Sequence, residues 1–316
     1  MRFGADFDAT QLTCLVDDLP PKAIKTGMLA SAPIIQALIG ALAARYTLPT
    51  TTTASVSTGV KSLPLLPPMI IDPVSVSTSR HSLLSTSAIH DLVFDFLPLC
   101  RLVTPNALEA GMIANCLRAS ADGPSIALKK EALGRVIKET EEDNGVKVDD
   151  LRSMVDVGRE ILRFLHGRRM EGERGVLVKG GHVPLTRSAF KEQLASLKGT
   201  SGPDLLLDVV WNGNSLEADL EDEGFVEILA AYRETLQSGS PSQASPTTTR
   251  EEANNEVLSS ANRCVVDVLL TSSEQEETMH VTLFVAPSVK SRSTHGTGCT
   301  LSAAIASNVG HGKSRA

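Results

Sequence analysis

Aromatic residues are scarce in this 316-residue chain, at 3%. Its core must therefore be aliphatic and rich in alanine. Cysteine is also sparse and oddly numbered: Cys14, Cys100, Cys116, Cys264 and Cys299 are scattered and show no CxxC spacing. That excludes a disulfide framework and a structural zinc site, and it points to a reducing compartment. No run of about 20 apolar residues occurs, so a membrane-spanning helix is not expected. The first residues, MRFGADFDAT, lack the apolar region of a secretion signal. No basic cluster or stripe is present, the formal net charge is −7 and the pI is about 5.6. Nucleic acid and anionic membrane are thereby disfavoured as main partners.

What the chain does have is a rhythm. Hydrophobic residues make up 42% of it, enough for one large domain or two small ones. Short apolar runs alternate with helical patterns. Ala23–Leu29 reads as a strand entering a glycine turn, followed by Ser31 as an N-cap and a helical face of Ile34, Ile35, Leu38, Ile39 and Leu42. Met69–Val74 and Arg101–Thr104 read as strands stopped by Pro73 and Pro105, the second leading into a helix. Met154–Leu165 is a helix, Gly175–Lys179 a strand, and Val265–Leu270 with Val281–Ala286 a strand pair. A last helix starts near Thr297. This alternation predicts an α/β fold with a central, mostly parallel sheet flanked by helices on both faces. Three stretches interrupt it and read as surface insertions: 47–68, 129–150 and 196–262, the last holding the polar tract SGSPSQASPTTTREEANN.

In an open parallel sheet, ligands bind beyond the carboxyl ends of the strands. Those ends are polar or glycine-rich here: Thr26-Gly27-Met28, Asp72-Pro73-Val74, Thr104-Pro105-Asn106, Lys179-Gly180-Gly181 and His295–Cys299. In GTGC, Gly296 and Gly298 let successive N–H groups face outward at a helix start, which favours an anion. Cys299 then stands at the positive end of that helix, where a thiolate is favoured. The plainer alternative is a glycine-rich turn with a small buried cysteine. In TPNALEA, Asn106 and Glu109 share one side of a first helical turn, and a carboxylate there suits magnesium. They also have the spacing of a capping box. Lys179, before two glycines, is placed for a phosphate or is a snorkelling strand-end lysine. Asp72 is a magnesium- or water-binding carboxylate or a turn former, and His182 and His295 read as turn residues.

Five segments together carry a resemblance: AIKTGMLAS, IIDPVSVSTS, LVTPNALEA, GVLVKGGH and THGTGCTLSAAIASN. In this order they resemble the hydroxymethylpyrimidine/phosphomethylpyrimidine kinases of thiamine biosynthesis, within the ribokinase-like superfamily. The resemblance implies ATP and Mg²⁺ as cofactors and a small pyrimidine as substrate, in the cytoplasm. It implies Cys299 as the catalytic base that takes the proton of the substrate hydroxymethyl group. It places Gly296, Thr297 and Gly298 in the anion hole, Lys179, Asn106 and Thr104 with the ATP phosphates, Met28 and Val74 in the pyrimidine pocket, and Asp72 and Glu109 at the metal. Some pyridoxal kinases of this branch also use a cysteine base, so pyridoxal kinase is the alternative activity.

Departures from the family pattern matter as well. The glycine-rich GSDSSGGAG-like turn of the family does not precede ADFDATQL, and the family's further helix does not follow SNVGHGK. A chain incomplete at both ends is the expectation, with an inactive remnant as the second alternative. A possible homodimer and a fusion to a thiaminase-II-like domain complete what the resemblance implies.

Overall fold

A computed structural model describes residues 5–48, 63–75, 84–121, 146–167, 173–181, 183–200, 205–211, 214–215, 263–272, 278–288 and 296–312. The polar tract of the third insertion, most of the other two insertions, and His182 and His295 lie outside the described residues.

The described α-helices are α1 (Ala5–Asp18), α2 (Ala32–Ala43), α3 (Thr86–Asp91), α4 (Ala107–Ala121), α5 (Leu151–His166), α6 (Arg187–Thr200) and α7 (Thr297–Gly310), with π-helical (Leu92–Phe96) and 3-10 (Leu97–Leu99) turns continuing α3. The strands are β1 (Ile24–Thr26), β2 (Met69–Ile71), β3 (Leu102–Val103), β4 (Arg174–Val178), β5 (Leu185–Thr186), β6 (Leu205–Trp211), β7 (Asn214–Ser215), β8 (Arg263–Ser272) and β9 (Met279–Pro287). They form one sheet in the order β1-β2-β3-β4-β8-β9-β6-β7, with β5 joined to β8. The first four strands are parallel. β8 runs antiparallel to β4 and to β9, and β6 lies parallel to β9. The strand pair read from the sequence is thus an antiparallel hairpin set into the sheet. LLLDVVW, inside the stretch read as the third insertion, is a sheet strand, because seven consecutive residues of it pair with β9.

Every residue of β2 and of β4 is buried, which requires cover on both sheet faces. β8 differs: Cys264, Val266, Val268 and Leu270 are buried while their alternating neighbours are half-buried, the period-two pattern of a strand with one covered face. α5 supplies that cover. It starts at a capping box, with Asp150 Oδ1 accepting the Ser153 N–H at 2.7 Å. Its buried face is Met154, Val155, Ile161, Leu162 and Leu165. Gly158 brings it close to the sheet: a Cβ there would stand 2.3 Å from Leu270 Cδ1. The result is the aliphatic core that the aromatic count demands. No described helix is long and apolar enough to cross a membrane.

Candidate active site

The parallel strands β1–β4 end on one rim, so Thr26-Gly27-Met28, Asp72, Thr104 and Lys179 are neighbours by topology. The backbone binds them together just past the ladder. The Asp72 N–H donates to Thr26 O, Thr104 N–H to Ile71 O, and Lys179 N–H to Pro105 O. α7 packs on β1 and β2 and delivers its first turn to the same rim.

Asp72 is the hub. It is 1% exposed, and its carboxylate accepts from Lys179 Nζ at 2.8 Å, Thr104 Oγ1 at 3.4 Å and Ser302 Oγ at 3.4 Å. Lys179 thereby spans from β4 to β2. Its ammonium also hangs over the first turn of α7, since a Cβ on Gly298 would come within 2.9 Å of Nζ. A cation pressed against the positive end of a helix is an arrangement that favours an anion between them.

That first turn has the geometry read from the sequence. Gly296 is the N-cap with φ +80°, a left-handed conformation that favours glycine. Its carbonyl accepts both the N–H and the hydroxyl of Thr300. The N–H groups of an opening helical turn have no partner within the helix. Thr297 and Cys299 are exposed. The alternative of a buried cysteine is therefore removed for Cys299. It does hold for Cys100, Cys116 and Cys264, whose thiols burial pushes up to about 12, 12 and 11.

Asn106 and Glu109 form the capping box that their spacing permits: Asn106 N–H donates to Glu109 Oε2 at 2.8 Å, and Glu109 N–H to Asn106 Oδ1 at 2.9 Å. The Ser75 backbone amide adds a further hydrogen bond to this carboxylate. Burial pushes the Glu109 pKa up to about 7, against the lowering effects of the Asn106 amide and Lys179, while the Asp72 charge raises it further. Folded Glu109 therefore keeps a proton that the unfolded chain has released above about pH 4.5. Its contribution to stability is present at low pH and is lost as pH rises toward 7. Wild-type protein is expected to lose urea resistance between pH 5 and 7.5 by this route. Glu109→Gln, which keeps the acceptor for the Asn106 amide, removes that share of the slope. Equal slopes in the two proteins would contradict it.

Met28 stands past the end of β1 with its side chain 54% exposed, and Val74 past the end of β2, half-buried. Both lie on the rim. Two further residues join the site without having been picked out in the sequence. Ser302 is fully buried and donates to Asp72 and to the carbonyl of Cys299. Its signal was its place one turn after the cysteine. Asp267, on β8, accepts the Gly180 N–H at 2.8 Å. Its signal was a single acid inside the apolar strand VVDVLL.

Asp72 and Glu109 offer buried oxygen donors beside Lys179. That donor set fits magnesium, which is commonly held by one or two carboxylates together with substrate phosphates. Among the described residues no cluster of three or more His, Cys, Asp or Glu side chains forms a complete cage.

Comparison with known proteins finds kinases. The profile of the family described as phosphomethylpyrimidine kinase matches residues 48–138 and 252–316. A hydroxymethylpyrimidine/phosphomethylpyrimidine kinase of Synechococcus elongatus is 38% identical over 106 residues, covering 34% of this chain and 33% of the relative. One of Streptomyces coelicolor is 26% identical over 173 residues, covering 55% and 43%. The chain thus spans less than half the length of these relatives. Among solved structures, the phosphomethylpyrimidine kinase of Clostridium difficile is 25% identical over 57% of this chain and 54% of its own, with a TM-score of 0.34. The pyridoxal kinase of Bacillus subtilis in its ADP complex is 16% identical over 99% and 66%, with a TM-score of 0.48. The matched residues take in Asp72, Asn106, Glu109 and the GTGC turn, and over them the chain is similar to the phosphomethylpyrimidine kinase family.

Proposed function

We propose that this chain carries the phosphoryl-transfer site of an ATP-dependent hydroxymethylpyrimidine and phosphomethylpyrimidine kinase. The observation that carries the reading is the position of Lys179. Its ammonium bridges the Asp72 carboxylate, 2.8 Å away, and the Gly298 end of α7. Cation, helix N-terminus and buried carboxylates meet at one point. That combination suits a phosphate bearing a divalent metal and little else.

The mechanism follows from what each group can do. Phosphoryl transfer needs positioning and charge stabilisation more than covalent chemistry. Lys179 and the first amides of α7 would hold the transferring group and take up its charge as the bond to the leaving oxygen lengthens. Cys299, exposed beside those amides, would accept the proton of the substrate hydroxymethyl group as its oxygen attacks. Asp72 and Glu109 would hold Mg²⁺, whose charge supplies electrostatic stabilisation to the phosphates. Thr104 and Ser302 fix the orientation of Asp72, and Asn106 fixes that of Glu109. Met28, exposed on the rim, and Val74 would contact the pyrimidine ring.

The test is a coupled kinase assay of the 316-residue chain with MgATP against the hydroxymethylpyrimidine, its monophosphate, pyridoxal and pyridoxine. ATP consumption on the two pyrimidines is the expected result. Preference for pyridoxal would reassign the substrate. Absence of both turnover and ATP binding would overturn the reading for this chain.

A further inference from the structure

Asp267 is a charged group of this rim that the mechanism above does not use. It sits on β8 beside the end of β4. Continuing the β4–β8 register by one pair, past Val178 and Val268, sets Asp267 opposite Lys179. A cross-strand lysine and aspartate would ordinarily pair with each other. They do not pair here. Lys179 Nζ reaches across to Asp72, and Asp267 Oδ1 instead accepts the N–H of Gly180.

The geometry explains the divergence. At Gly180 the chain presses onto β8 so closely that a Cβ would lie 2.0 Å from Val266 O, a contact only glycine can make. On the other side, the Lys179 N–H is held by Pro105 O at 2.8 Å. Lys179 is thus held through the peptides on both its sides, its own N–H by Pro105 just past β3 and the Gly180 N–H by Asp267 on β8. The lysine stem leaves from this clamped point toward α7. Burial is the largest influence on Asp267 and raises its pKa, while the Gly180 amide and Lys179 both lower it. The carboxylate is therefore tied electrostatically to the segment it holds.

Resting on the phosphoryl-transfer reading, we propose that Asp267 is a positioning residue: by holding the Gly180 amide it aims Lys179 at the Gly298 end of α7, and so sets affinity for nucleotide phosphates rather than for the alcohol.

The test combines calorimetric ATP binding in the presence of Mg²⁺ with steady-state kinetics on the full chain. Asp267→Ala is expected to raise the ATP Kd and KM roughly tenfold, the scale of one charge-assisted hydrogen bond, with the pyrimidine KM within about twofold of wild type. Asp267→Asn keeps an acceptor oxygen and is expected to stay within about threefold. Amide exchange at Gly180 should quicken in the alanine variant and not in the asparagine one. If the alanine variant does not fold, Asp267→Leu matches the aspartate in shape. It stands on a face with half-buried Val265 and Leu269, and it carries the same expectation. Wild-type-like ATP binding in a variant without the acceptor would overturn the inference and leave the kinase reading standing. A matched rise in both KM values would do the same, as would an asparagine variant as impaired as the alanine one. Failure of the wild type to bind ATP would overturn both.

Discussion

Replacing Cys299 with alanine is expected to lower turnover on the hydroxymethylpyrimidine by about a thousandfold, within the range general base catalysis contributes. The ATP dissociation constant should change by less than about threefold. The argument rests on where the thiol stands. Cys299 is exposed in the first turn of α7, beside Gly298, over which the Lys179 ammonium lies. The backbone amides that would grip the phosphate are untouched by the substitution. No other cysteine can substitute for it. Cys100, Cys116 and Cys264 are buried and held as neutral thiols, and Cys14 lies on α1, which packs on α2 rather than on the rim. Loss of kcat with nucleotide binding retained is the signature of a group acting on the alcohol in the transition state. Near-normal turnover would remove Cys299 from the chemistry, whatever the rest of the site does. Equal losses of turnover and ATP affinity would make it part of the phosphate grip.

The parts of this site that could be read in the sequence are those set by local chemistry. A left-handed glycine at a helix start, a proline that ends a strand, and an Asn–x–x–Glu cap are decided by neighbours in the chain. Gly296, Pro105 and the Asn106–Glu109 pair accordingly do what their spacing implies. The parallel half of the sheet was legible for the same reason, since strand, turn and helix recur there at short range. What could not be read depends on partners far away in the chain. Leu205–Trp211 falls inside the stretch that reads as a surface insertion. Only its pairing with Met279–Val285 makes it a sheet strand. Asp267 reads as a flaw in an apolar strand until Gly180, 87 residues earlier, is seen to need an acceptor. Ser302 is one more small residue in a small-residue helix until Asp72, 230 residues away, is placed beneath it. Glu109 shows a third case, in which two competing readings both hold. Its cap uses one oxygen, and its burial beside Asp72 and Lys179 is what makes the carboxyl unusual.

Lys179→Met is expected to produce the largest combined effect, because the lysine has two separable tasks. In the protein alone it compensates Asp72, which is 1% exposed and among the described residues otherwise receives two hydroxyls at 3.4 Å. Removing one partner of a buried ion pair costs about 3–5 kcal/mol, since the remaining charge stays buried without its counter-charge. Urea unfolding should register that loss directly. With nucleotide bound, the same ammonium is the cation facing the α7 N-terminus, and its removal should cut kcat/KM for ATP by about 10²–10³-fold, as loss of a single electrostatic donor does elsewhere. The tasks come apart in the double variant. Lys179→Met with Asp72→Asn removes both charges of the pair and keeps acceptor and donor atoms for Thr104 and Ser302. Stability should return to within about 1.5 kcal/mol of wild type, because replacing both members of a buried pair is often nearly neutral. Turnover should not return, because neither the phosphate cation nor the carboxylate is restored. A double variant that recovers both stability and turnover would reduce Lys179 to a structural counter-ion. One that recovers neither would show that the pair is held by more of the surrounding rim than these contacts describe.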